Sequence, residues 1–212
     1  MALDVFVMPL SRYLAGDFVT GAERFAIETG VRYARTADKP AVPIEDARQF
    51  VAQLKRQLGR EVRWNDEGDT VFAKQFSLHA WHALRYFATD QTVPVPGFIF
   101  DGAHPHPGVG TVCQTGRSPY LHLIHHDDHR GFYLPVDFPK PFAVPLGEDP
   151  THGPLAGSSI KLLRELNALL PRIDAAMKTS GEAVARVKNG WTFMQECARL
   201  SVQHRLPIIF DG

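Results

Sequence analysis

The change of texture between Thr92 and Pro154 constrains this chain more than any other feature. Through that stretch Pro, Gly and His recur so often that no helical period survives, and apolar residues come in short runs such as Gly97-Phe98-Ile99-Phe100. On both sides of it, apolar residues recur at helical spacing. This arrangement predicts an α+β fold: helices packed around a loop-rich mixed or antiparallel sheet, not the regular strand–helix alternation of a doubly wound sheet. The 212 residues are enough to bury a substantial core, and no linker-like segment divides them, so a single domain over residues 1–212 is expected.

The flanks carry specific signals. Leu3 to Met8 reads as a strand. Thr20-Gly21-Ala22-Glu23 has the spacing of a capping box, in which the Thr hydroxyl and the Glu carboxylate each satisfy a free backbone N–H, and the helix it starts ends near Gly30. Pro43 suits a first helical turn; Ile44, Ala47, Val51, Leu54 and Leu58 then repeat at helical spacing up to Gly59. A third helix is expected from about Thr70 to Ala88, with Phe72, Phe76, Ala80, Ala83 and Phe87 as its buried stripe and His79 and His82 near the edge. Ser158 and Ser159 each suit the cap of a helix running to Pro171. A separate last helix is expected around Trp191, Met194 and Ala198, followed by a terminal strand over Leu206 to Phe210. Within the central stretch, Tyr120 to His125 and Gly131 to Val136 read as two strands of a central hairpin joined by Asp127-Asp128-His129-Arg130.

Charge narrows the functional classes. Lys and Arg total 23 and Asp and Glu total 23, so the basic excess of a general nucleic-acid binder is missing and nucleic acid is not expected as a partner. No apolar run approaches the roughly 18 residues needed to span a bilayer, and Asp4 stands where a signal peptide would carry basic residues. A cytoplasmic location without membrane contact follows as the expectation. Cys113 and Cys197 form no motif; Cys197, on an apolar helical face, reads as a buried thiol.

Four histidines fall within His122 to His129, beside Asp127 and Asp128. Imidazoles and carboxylates are the usual ligands of zinc, iron or manganese. On an extended strand His122 and His126 would lie roughly 13 Å apart, too far for one ion. The turn residues His126, Asp128 and His129 are the easier divalent-metal set, and His104 and His106, flanked by prolines, could complete it. In that arrangement Asp127 is the candidate general base. The stretch also fits the H-x-D-H-x-G half of the metallo-β-lactamase signature, but Ile124 occupies a ligand position and chance similarity explains the match. The pair His79 and His82 shares one helical face, where an edge-of-core role is the simpler reading. Gly157-Ser158-Ser159 lacks the flanking glycine of a nucleophile elbow, and Cys113 beside Arg117 has no histidine partner.

The run His126-Asp127-Asp128-His129-Arg130-Gly131-Phe132-Tyr133-Leu134-Pro135, followed by Asp137-Phe138, resembles the H-S-D-x-x-G-Y-Y-x-P-x-x-F signature of small uncharacterised bacterial proteins, with Asp127 in place of the central serine. The resemblance implies a standalone binder, immunity-like in style.

Two functional expectations follow. The first is a cytoplasmic bacterial binding protein, immunity-like, that contacts a protein partner through the His-rich hairpin with Arg130, Phe132 and Tyr133 at the interface. The second is a metal-dependent hydrolase built on residues 126–129, in which the ion lowers the pKa of its bound water.

Overall fold

The computed structural model describes residues 2–32, 41–59, 62–89, 107–126, 130–146 and 153–212. Along the chain the elements are β1 (Ala2–Val7), α1 (Leu10–Leu14), α2 (Gly21–Thr29), α3 (Ile44–Leu58), β2 (Phe72–Ser77), α4 (Leu78–Ala88), α5 (Pro107–Thr115), α6 (Leu121–Ile124), β3 (Arg130–Leu134), β4 (Phe142–Ala143), β5 (Leu155–Ser158), α7 (Ser159–His204) and β6 (Ile208–Asp211). The fold is α+β, as the sequence predicts. Six strands form one mixed sheet in the order β2-β1-β6-β3-β5-β4. Among the described strands only β3 and β5 pair in parallel.

The sheet is covered on both faces, and β1 shows why. Leu3, Val5 and Val7 point into an apolar cluster with Trp81, Leu84, Leu166 and Met194, contributed by α4 and α7. Phe6, from the alternate register, points into a second cluster with Leu10, Val51, Leu54 and Trp64. A strand buried on both sides must be apolar at nearly every position, and Leu3 to Met8 is, apart from Asp4. Asp4 lies opposite Asp211 of β6, which in turn lies opposite Arg130 of β3. Charge therefore collects at one end of the sheet.

Several sequence expectations hold in detail. The Thr20–Glu23 capping box forms, with Glu23 N–H donating to the Thr20 hydroxyl at 3.2 Å and Thr20 N–H donating to the Glu23 carboxylate at 2.7 Å. α3 starts and stops where expected, and Ser158 caps α7 by accepting from Lys161 N–H at 3.1 Å. Cys197 is fully buried and Cys113 partly so; neither is in a disulfide.

Four expectations are corrected. The segment predicted as one helix from Thr70 to Ala88 is a strand followed by a helix, β2 and then α4. Phe72 and Phe76 are four apart, a spacing that puts them on one face of a strand as well as of a helix, and backbone pairing with β1 decides between the two. The break falls at Ser77, whose hydroxyl accepts from Ala80 N–H at 3.4 Å. The two helices expected on either side of Pro171 are one 46-residue helix. Buried Ile173, Val184 and Val187 continue the apolar stripe between them, so tertiary packing carries the helix past its proline.

The third correction concerns the hairpin. Residues 121–124 are a turn of α-helix, and β3 takes its partners from β5 and β6. Alternating His and aliphatic residues suit a strand, but here all of Leu121 to Ile124 are buried, so no face is left for water. Residues 107–115, expected as loop, form α5, which includes Cys113.

Candidate functional site

The His-rich segment is a buried knot. Its helical turn is held at both ends by polar side chains from distant parts of the chain. At the N-terminal end, the Glu165 carboxylate accepts from His122 N–H at 3.0 Å and from Leu123 N–H at 2.8 Å. Beyond the C-terminal end, the Arg85 guanidinium donates to the Ile124 carbonyl at 2.8 Å and to the His126 carbonyl at 2.7 Å. Glu165 thus meets free N–H groups at the start of the turn, and the cationic Arg85 meets free carbonyls at its end. Tyr133 OH donates to the His122 carbonyl at 3.0 Å.

The two described imidazoles at either end of this turn are part of the packing. His122 Nδ1 accepts from Ser158 N–H at 2.9 Å, which puts the ring proton on Nε2. Nε2 is buried near the Phe138 and Pro139 carbonyls but completes a hydrogen bond with neither. Burial pushes the His122 pKa down to about 4, against the pull of those carbonyls. Glu165 is shifted the other way: burial pushes its carboxyl up to about 7, against the two N–H groups and Lys161. His126 stacks on Tyr133 and its Nε2 lies 3.1 Å from the Phe132 carbonyl.

The other predicted site residues are dispersed or outside the described residues. His104, His106, Asp127, Asp128 and His129 lie outside them. Among the described residues no group of three or more His, Cys, Asp and Glu could hold a metal ion. Phe132 and Tyr133 are 3% and 0% exposed and point into the two opposite clusters, while Arg130 is exposed at the start of β3. The three do not form a common surface. His79 is exposed and His82 is buried.

A second concentration of charge was not singled out in the sequence, and it lies on the surface. Arg12 of α1 donates to the Asp17 carboxylate at 2.7 Å and reaches Asp69 at 3.8 Å. One guanidinium thus gathers two exposed carboxylates from segments more than fifty residues apart. Glu67 is exposed in the same 65–69 turn, while Asp66 turns inward to Lys55 and the Trp64 indole. The start of α3 is tied to this region by Val42 N–H donating to the Leu14 carbonyl at 3.2 Å, and its first turn adds exposed Glu45 and Asp46. The exposed carboxylates of this region are thus Asp17 and Asp69 beside Arg12, Glu67 in the same turn as Asp69, and, at the start of α3, Asp46 and the Arg48-paired Glu45. The run Asp66-Glu67-Gly68-Asp69 was the available sequence signal. Overall charge balance hid it, because balance over a whole chain says nothing about one face.

Comparison with known families decides how these features are read. The model of a family described as "Putative DNA-mimic protein" matches residues 1–210. The chain belongs to this family. No curated protein and no solved structure matches it.

Membership in the DNA-mimic family overturns both functional expectations drawn from the sequence. It supports neither an immunity-like binder acting through a His-rich hairpin nor a metal-dependent hydrolase at residues 126–129. The expectation about partners is corrected as to the protein: a DNA-mimic family implies partners that are DNA-binding proteins, and the expectation of no nucleic-acid partner is compatible with that, since DNA is the molecule imitated. Among the described residues no helix is long and apolar enough to cross a membrane.

Proposed function

We propose that this chain binds a DNA-binding protein at its DNA site, with exposed carboxylates standing where the phosphates of a duplex would lie. The match to the DNA-mimic family over residues 1–210 carries this reading. With 23 acidic and 23 basic residues, the mimicry is local. It rests on one face, not on a strongly negative whole, and the rim of Asp17, Glu45, Asp46, Glu67 and Asp69 is the face proposed here. DNA-binding proteins take most of their affinity from Lys and Arg contacts to phosphates, so a fixed array of carboxylates addresses the same groups. Arg12 has a defined part: by donating to Asp17 it fixes that anionic group before binding and lowers the ordering cost, while Asp69 stays fully exposed 3.8 Å away. A cytoplasmic location fits a partner of this kind.

The test uses proteins of the native cell bound to duplex-DNA cellulose and eluted with the purified chain. The expected result is release of a defined DNA-binding protein by the natural chain, and release weaker by on the order of ten-fold with the triple variant D17N, E67Q, D69N. Failure of the natural chain to release any protein, or equal release by the triple variant, contradicts the proposal.

A further inference from the structure

Independently of the rim, we propose that the cleft between the start of α4 and the middle of α7 binds a nucleoside monophosphate. The cleft is an open groove of about 630 Å³, within the roughly 300–1,000 Å³ usual for small-molecule sites. Its base is fixed by the close approach of the two helices. A Cβ on Gly190 would lie 2.5 Å from the Ala80 carbonyl oxygen, so α7 can pass α4 this closely only with glycine there. The cleft has an apolar wall on one side and a group of hydrogen-bond donors on the other.

The wall is Phe193, half-buried, with one face stacked on Phe76 at 4.1 Å and 5° and with Phe72 meeting it at 5.4 Å and 77°, so that only its exposed part borders the cleft. A planar ring would lie against such a surface. The donors are Arg186, Asn189, His79 and Ser77, all exposed into the cleft. Arg186 and His79 make no hydrogen bond or ion pair with another described residue, so the guanidinium and the imidazole are both available to a ligand. The Ser77 oxygen accepts from Ala80 N–H, which leaves its own O–H to donate outward. The Asn189 carboxamide adds a further donor and an acceptor. Among the described residues no carboxylate lines the cleft. That combination selects against cations and favours an oxyanion with several acceptor oxygens, and a phosphate monoester offers three.

The ligand class is tested by titrating the full-length chain with adenosine 5′-monophosphate, adenosine and inorganic phosphate, followed by ligand-observed NMR and calorimetry. The proposal expects saturable binding of the monophosphate, tighter than either fragment alone because each satisfies only one side of the cleft. R186A and H79A, both at exposed positions, are expected to keep the circular dichroism spectrum of the natural chain and to weaken monophosphate binding by on the order of ten-fold. No saturation up to about 5 mM, adenosine or phosphate binding as tightly as the monophosphate, or undiminished binding by R186A would each overturn it.

Discussion

The imidazole of His126 lies flat on the phenol ring of Tyr133, with centroids 4.1 Å apart and planes 10° apart. The edge of the same imidazole faces the Phe132 carbonyl, and Phe210 meets both rings edge-on. A ring so enclosed contributes to the core much as an aromatic hydrocarbon would. Replacement of His126 by alanine is expected to cost about 2–4 kcal/mol, and replacement by phenylalanine clearly less, because the stack survives while the hydrogen bond to the Phe132 carbonyl is lost. Chemical denaturation of the two variants measures the difference; an alanine variant as stable as the phenylalanine variant would show that the stack is unimportant.

The edge of this stack is equally confined. A Cβ on Gly157 would lie 2.6 Å from the Tyr133 ring carbons, and the ring, with 0% exposure and His126 stacked on it, has nowhere to move. G157A should therefore destabilise by about 1–3 kcal/mol through overpacking. An unchanged midpoint in urea would contradict this packing.

Arg85 carries the opposite kind of constraint. It is 4% exposed and gives its donors to the carbonyls that follow α6. R85A leaves those carbonyls buried without their charged donor and is expected to cost about 3–5 kcal/mol. R85K keeps the charge but not the fork, and an intermediate loss is expected. Equal stability of R85K and the natural chain would remove the bidentate geometry from the account.

The two buried titrating groups predict an unusual pH profile. His122, with its pKa depressed from 6.5 to about 4, is neutral in the fold while the unfolded chain takes up a proton; its contribution is full above pH 6.5 and is lost as pH falls toward 4. Glu165, raised from 4.5 to about 7, holds its proton in the fold while the unfolded chain loses one; its contribution is full below pH 4.5 and is lost as pH rises toward 7. Over the window they share, from about 4.5 to 6.5, the two slopes oppose each other. The natural chain should show little net dependence from this pair. E165Q should become more stable as pH rises through that window, and H122N less stable, each by about 2–3 kcal/mol overall. Parallel slopes in the two variants would contradict these assignments.

How far the sequence could be read depended on which interactions were local. The Thr20–Glu23 box, the ends of α3 at Pro43 and Gly59, and the Ser158 cap are set by residues within a few positions of one another, and each was legible. The identity of β2 was not, because Phe72 and Phe76 satisfy both periods and only pairing with β1, some seventy residues away, selects the strand. Nor was the role of the histidines. His122 and His126 look like ligands in a string of letters, whereas Glu165, Arg85 and Ser158, which make them structural, come from elsewhere in the chain. The carboxylate rim escaped notice for the same reason: Asp17 and Asp69 meet only through Arg12.

The central claim is that this chain and duplex DNA compete for one site on the same protein. It is tested most directly by fluorescence anisotropy of a labelled duplex bound to the protein released from DNA cellulose, titrated with the chain at several fixed protein concentrations. The account predicts full displacement, with the apparent Kd for DNA rising in proportion to the concentration of the chain and the rise blunted by D17N, E67Q, D69N. Formation of a ternary complex, or an apparent Kd that does not change, would contradict it.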